Sequence, residues 1–472
     1  MEPLLFSICV IVFTLVSLFV YNAKSHGKSK NLPPGSFGWP FIGETYEFIF
    51  SNHDKFISGR MQNYSSKIFK THLYGQPTVV LCGPSGHKFI AANEGKLMTA
   101  WRPTATRKLF QSAMPTGDSI VSRQSEIHLV RAPVFITQEA LVAYASVMDG
   151  VTKHHFETHW FGKSQVEVFS LLELLTVGIA TRLFMGLQDL DCVAKMAKWF
   201  GHIAQGLHVL PYEIPGTTFG RAMKGKRAVM NEIMKLMNEK RERLAKGEMP
   251  TDILSYMMVS ADPSGKIRSD EEVADKVMGL TTAAFNSPCI ALTFAMKYLA
   301  ENPQVYQRIR DEQMEIAASK EPGDTLSLND IQRMKYSWNV LLEVMRVIPP
   351  LQGTFREAMS DFTYDGYTVP KGWKVYWTVS SINKDPKIFT EPDKFDPTRF
   401  EGEIPPFLNM PFGGGPRICP GKDFAKLQML IYLHYVVTFF KWQLINLNPK
   451  VLAAMNALPL DGVWVRLQRC AQ

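Results

Sequence analysis

The segment Pro411-Phe412-Gly413-Gly414-Gly415-Pro416-Arg417-Ile418-Cys419-Pro420-Gly421 constrains this chain more than any other stretch. Prolines at 411, 416 and 420 exclude a helix or a central strand, and three successive glycines open backbone conformations closed to other residues. The segment is a shaped loop. A helix-forming stretch follows from Gly421 to about Phe440, so Cys419 stands just ahead of a helix N-terminus. A glycine-rich loop opening a helix can cradle a phosphate. That reading fails here: no strand is predicted before the loop, the G-x-G-x-x-G spacing is absent, and there is no Gly-Lys-Ser/Thr. The cysteine points elsewhere. The positive end of a helix favours a thiolate, and a thiolate is a strong axial ligand for haem iron. The glycines then leave room for a flat macrocycle, Phe412 shields the sulfur, and Arg417 pairs with a haem propionate. An inert buried cysteine would need none of these neighbours.

The remaining composition suits a globular protein. Of 472 residues, 46% are apolar and 20% charged, which excludes wholesale disorder and a disulfide-built miniprotein. A mean hydropathy of −0.07 argues against a polytopic membrane protein. Six scattered cysteines with no C-x-x-C pair fit a reducing compartment. The formal net charge of +8 suits an acidic partner, anionic lipid or nucleic acid. The lysines and arginines are dispersed, with no aromatic-interleaved stripe, which sets nucleic acid aside.

Leu4 to Tyr21 is an apolar run of about 18 residues, followed at once by Lys24, Lys28 and Lys30. That is near the minimum for a membrane-crossing helix. Positive charge after the run, and Glu2 before it, reads as a retained anchor with a cytosolic body rather than a cleaved signal. The expected organisation is a transmembrane anchor over residues 1–22, a basic and Pro/Gly-rich linker over 23–44, and one catalytic domain over 45–472. On that topology the sequon Asn63-Tyr64-Ser65 stays unmodified.

The body reads as mainly α with a minor β region and no internal repeat. Strands are expected at Ile68 to Tyr74 and Thr78 to Cys82. Helices are expected over 227–246, 271–300, 303–319 and 330–347, the last behind an N-cap at Ser327 with Asp330 three residues on. A hairpin is expected over 362–369 with Asp365-Gly366 at its tip. His155 and His159 are read as a solvated helix face rather than a zinc pair, since no third ligand is near.

Phe412-x-x-Gly415-x-Arg417-x-Cys419-x-Gly421 matches the haem loop of the cytochromes P450, and on it the chain is identified as a member of that family. Glu343-Val344-Met345-Arg346 resembles the family's E-x-x-R helix, and Phe395 to Phe400 its P-x-R-F segment. Met334 to Trp338, Pro349 to Ala358 and smaller matches point to plant triterpenoid oxidases, with taxane hydroxylases next. The resemblance implies the P450 fold, haem b bound through iron to Cys419, and a structural network of Glu343, Arg346 and Arg399. It makes Arg131 and Arg356 further propionate candidates. It also implies a monooxygenase that takes O2 and electrons from an NADPH–cytochrome P450 reductase. The substrate class is a hydrophobic terpenoid, foremost a pentacyclic triterpene of the beta-amyrin type or a sterol-like scaffold. The implied setting is the endoplasmic reticulum membrane, in contact with lipid. A taxane or diterpenoid hydroxylase, a haem-thiolate isomerase or dehydratase, and a non-catalytic haem-binding relative are the alternatives.

One segment departs from the family. Its [A/G]-G-x-[D/E]-T-[T/S] stretch aligns with Ala283-Ala284-Phe285-Asn286-Ser287-Pro288. Asn286 cannot release a proton, Ser287 keeps a hydroxyl, and Pro288 removes a helix N–H. Asn286 and Ser287 are the candidate catalytic positions, and proton delivery is the step this departure touches. Thr281, Ala284, Phe285, Leu351 and Gln352 are the candidate substrate contacts. Asn383 is a smaller departure, standing where relatives often have His.

Overall fold

The computed structural model describes Thr14 and residues 31–40, 42–111, 137–261, 265–321, 323–453 and 455–470. The anchor over 1–22 and Arg131 lie outside the described residues, Thr14 apart. Among the described residues the chain is mainly helical, with a five-stranded sheet as its largest β element.

β1 (Ile68–Leu73) and β2 (Gln76–Leu81) form an antiparallel hairpin at the sheet's edge. β3 (Met98–Trp101) forms the other edge, with β4 (Gly353–Ala358) and β5 (Lys374–Thr378) between, in the order β1-β2-β5-β4-β3. The β2–β5 pair is parallel, Thr78 opposite Lys374, and the rest are antiparallel. Strands almost 300 positions apart thus lie side by side. The stretch expected to be a basic, Pro/Gly-rich linker is partly tied to the β region. Asn31 and Pro34 carbonyls accept from the Thr368 and Lys70 amides at 2.7 and 2.8 Å, and Phe37 meets Trp373 edge-on at 5.7 Å. The body therefore begins earlier than residue 45.

The helical part is built around two long apolar helices. α1 (Gly83–Asn93) leads out of β2. α2 (Gln138–His159), α3 (Val168–Met185), α4 (Leu190–Gln205) and α5 (Thr218–Ala245) follow. α6 (Asp270–Glu301) runs through the middle, packed along α3. Both α3 and α6 are long and apolar enough to cross a membrane, but most of each is buried in the body. α6 opens with a capping box, Ser269 with Glu272. Its polar residues satisfy themselves locally: Thr281, Thr282 and Thr293 hydroxyls donate to carbonyls four residues back, at 2.8 to 2.9 Å.

The helix expected over 330–347 is two helices. Ser327 and Asp330 form their capping box, but the first helix ends at Arg333 and Met334 adopts ψ +57°. α7 (Lys335–Val347) then restarts. The Glu312 carboxylate accepts from the Tyr336 and Ser337 amides at 2.7 and 3.0 Å and from the Ser337 hydroxyl at 2.6 Å. A side chain from a neighbouring helix thus caps the second start, which local sequence could not announce. α8 (Lys422–Phe439) closes the core. On α2, His155 is buried, not solvated, with the His159 ring 4.8 Å away. The inward stripe of α2 carries it into the core, and desolvation lowers its pKa to about 3. The hairpin forms as expected, Asp365 and Gly366 both at positive φ.

Candidate active site

The cysteine loop is held by its backbone. The Cys419 amide donates to the Phe412 carbonyl at 2.8 Å, and the Gly413 amide to the Met410 carbonyl at 3.0 Å. Gly413 and Gly415 adopt φ +70° and +68°, which L side chains resist. A Cβ on Gly415 would also come 2.6 Å from the Ala91 Cβ of α1. At these two positions the loop's own turn and the approach of α1 already require glycine. Beneath the loop Phe412 stacks on Trp338 at 6.1 Å, with the Lys426 ammonium 5.1 Å from the Trp338 ring.

Gly421 caps α8, and its amide donates toward the Cys419 sulfur. Burial nevertheless pushes the Cys419 thiol up, and the Gly421 N–H offsets this only in part. The helix N-terminus expected to favour a thiolate is in place, its Gly421 N–H lowering the Cys419 pKa against the desolvation that raises it. A bound cation would reverse that balance, since metal coordination deprotonates a thiol.

Above the loop lies a mostly apolar cavity of about 370 Å³. Cys419, Phe412, Arg417 and Gly421 border one side; Leu280, Ala283, Ala284, Ser287 and Pro288 of α6 border it as well. Positions 280, 283, 284 and 287 share one helical face, turned from 281 and 285 by about 100° per residue. Thr281 and Phe285 accordingly do not line the cavity. Thr281 is enclosed against its own helix, and Phe285 packs on Phe200 at 5.8 Å. Asn286 is buried and is likewise not among the lining residues. Leu351 borders the cavity, whereas the Gln352 amide oxygen is turned to the Ser380 hydroxyl at 2.7 Å. Of the five candidate substrate contacts, the cavity wall brings together Ala284 and Leu351.

Two arginines enter the cavity wall from separate elements, Arg356 from β4 and Arg417 from the loop. The Glu94 carboxylate joins them. It accepts from Arg356 Nε at 2.5 Å and from Arg417 Nε at 2.6 Å. Nothing in the sequence marked Glu94; its partners lie 262 and 323 positions away.

Behind the loop, Glu343 and Arg346 of α7 form a fully buried pair. Arg346 Nε and Nη2 donate to the two Glu343 oxygens at 2.7 and 2.8 Å. Arg346 Nη1 donates to the Asn383 and Pro392 carbonyls at 2.7 and 2.8 Å. The Asn383 side chain returns a bond to the Arg346 carbonyl at 2.9 Å. Arg399 stands 3.5 Å from Glu343, an ion pair longer than a hydrogen bond, while the Asp396 amide donates to Glu343 at 2.8 Å. This network ties α7 to the chain that leads into the cysteine loop.

The arrangement fits a haem. A sulfur ligand faces a cavity with small residues on its helix side, and two guanidinium groups stand in its wall. Cys419 would ligate the iron, and Arg356 and Arg417 would meet the propionates. Known proteins agree. The cytochrome P450 family profile matches residues 33–458. A beta-amyrin 28-monooxygenase of Solanum lycopersicum is 43% identical over 98% of this chain and 97% of its own. One of Vitis vinifera is 42% identical over the same shares. A beta-amyrin 6-beta-monooxygenase of Solanum lycopersicum is 39% identical, with 100% of each chain covered. Among solved structures, the retinoic acid-bound cyanobacterial CYP120A1 superposes with a TM-score of 0.84. It is 29% identical and covers 94% of this chain and all of its own. With its cysteine loop, buried Glu343–Arg346 pair and these relatives taken together, the chain belongs to the cytochrome P450 family and is a haem-dependent monooxygenase.

Proposed function

We propose that this monooxygenase oxidises an unactivated C–H bond of a triterpenoid, foremost a pentacyclic skeleton of the beta-amyrin type. The observation that carries the reading is full-length identity of 39 to 43% to relatives named for oxidation of beta-amyrin. The cavity supports it: its lining is predominantly apolar, as a hydrocarbon skeleton requires.

Haem, when bound, supplies the O2-activating redox chemistry that side chains lack. The chain's own residues do the rest. Leu280, Ala283, Ala284 and Leu351 leave room for a flat, bulky ligand and exclude water from it. The Ser287 hydroxyl, on the same helical face, can hold and pass a proton at Oγ, a role open to a residue that both donates and accepts. Asn286 has no proton to give and does not border the cavity, so Ser287 is the better placed of the two. Electrons would come from an NADPH-dependent flavoprotein reductase, whose acidic surface the net charge of +8 suits. The apolar run from Leu4 to Tyr21 would anchor the enzyme to the endoplasmic reticulum with the body on the cytosolic side.

The test is a coupled assay of the full chain with a plant reductase, NADPH, and beta-amyrin, other triterpenes and taxanes, scored by mass spectrometry. A product heavier by one oxygen, formed from a triterpene and lost without reductase, is the expected result. Oxygenation of taxanes alone would overturn the substrate assignment. A rearranged product of unchanged oxygen count, formed without reductase, would overturn the monooxygenation itself. The relatives act at two positions of one skeleton, so the products are scored for both.

A further inference from the structure

We propose that Glu94 positions the two propionate-binding arginines and sets the charge at the edge of the haem. This rests on the assignment of the cavity to haem. Glu94 immediately follows α1, in extended conformation, and its side chain is 7% exposed. It borders the cavity together with both arginines. Each guanidinium gives its inner nitrogen to one carboxylate oxygen, so one Glu94 carboxylate bridges both. Arg356 is held further, Nη1 donating to the Thr354 hydroxyl and the Phe355 carbonyl, both at 2.9 Å.

Two consequences follow. The first is geometric. A planar guanidinium anchored at Nε cannot swing freely, so its remaining N–H groups are oriented before any carboxylate of a ligand arrives. The second is electrostatic. Two positive groups facing one carboxylate leave one net positive charge rather than two. Burial makes that difference matter: desolvation disfavours the charged Arg356, Glu94 counters it, and the neighbouring Arg417 adds to it. Less positive charge beside the haem disfavours the reduced, more electron-rich form. Glu94 therefore holds the haem at a lower reduction potential than the arginines alone would, while helping to retain it.

Glu94→Gln and Glu94→Asp separate the two effects in the full-length, haem-loaded protein. The readouts are a spectroelectrochemical titration and haem transfer to excess apomyoglobin. Glu94→Gln removes the charge and one acceptor. It is expected to move the ferrous-to-ferric ratio at fixed potential upward, roughly three- to tenfold, and to speed haem transfer. Glu94→Asp keeps the charge on a shorter arm. It is expected to leave that ratio within about twofold of the parent while still speeding transfer. An unmoved ratio in Glu94→Gln, or an equal shift in both variants, would reduce Glu94 to a structural latch and overturn the proposal. If Glu94→Gln fails to hold haem, a shifted ratio in Glu94→Asp refutes the charge assignment, and unchanged haem transfer in Glu94→Asp refutes the positioning. The unaltered protein is titrated first. Failure of that protein to bind haem would overturn the cavity assignment instead.

Discussion

The cavity has two very different sides. The cysteine loop is a backbone object: two glycines at positive φ, a closing hydrogen bond from Cys419 to Phe412, and a Gly415 pressed against Ala91. Gly413 and Gly415 are set by conformation, and Cys419 and Phe412 by specific contacts. The facing side is a helix surface. α6 presents Leu280, Ala283, Ala284 and Ser287 to the cavity and turns Thr281 and Phe285 into the body. A helix backbone is the same whatever those side chains are, provided they pack. Such a surface is free to change, and here it carries Ser287 and Pro288, with Asn286 buried beside them, where the family pattern has other residues. On the proposed reading the loop would hold the cofactor and the helix surface would shape what is done with it.

The largest expected effect tests the loop. Cys419→Ser should abolish the reduced carbon-monoxide spectrum of a thiolate-ligated haem and all turnover. A retained thiolate spectrum would place the ligand on another cysteine. Gly415→Ala comes next. It forces a side chain into φ +68° and against Ala91. A loss of about 2–4 kcal/mol is expected, read as a lower denaturation midpoint. An unchanged midpoint would show that the loop and α1 yield more easily than their packing suggests.

The helix surface should respond in function more than in stability. Ala284→Leu fills cavity space and is expected to cut triterpenoid turnover about tenfold or redirect the oxidised position, a difference of about 1.4 kcal/mol in barrier. Thr281→Val, one residue-step off that face, should change turnover less than about twofold. Equal effects of the two would mean that the cavity-facing stripe is wrongly assigned. Ser287→Ala should act on the partition of electrons rather than on the fold. Folding should be unaltered, and peroxide released per product should rise several-fold, by analogy with loss of a general acid–base partner. Unchanged product per NADPH would exclude Ser287 from proton delivery.

How much of this was legible beforehand differs by region for a physical reason. The loop was readable because glycine, proline and cysteine report backbone and chemical constraints directly, residue by residue. The E-x-x-R pair was readable as a pair, but its burial, and the bonds from Arg346 to the Asn383 and Pro392 carbonyls, appear only in the fold. Of the five expected substrate contacts, Ala284 and Leu351 border the cavity and Thr281, Phe285 and Gln352 do not. Sequence spacing shows that 281, 284 and 285 lie near one another on a helix, but not which of two neighbouring stripes faces the cavity. The break at Met334 escaped notice because Glu312, which caps the restart at Tyr336, sits 24 positions earlier. The burial of His155 is not legible in sequence, because an i,i+4 histidine pair carries no mark of which side its helix buries.

Sequence alone determined the family, the candidate sulfur ligand, the glycine-bearing turns and the mainly helical content with its minor sheet. Each of these depends on local constraints: allowed φ, missing amide protons, hydrophobic period, and the chemistry of one thiol. Tertiary structure alone decided which face of α6 borders the cavity, where the helix after Ser327 breaks, and that Glu94 joins Arg356 to Arg417. Each of those depends on the close approach of residues far apart in the chain, and such contacts come into being only when the chain packs.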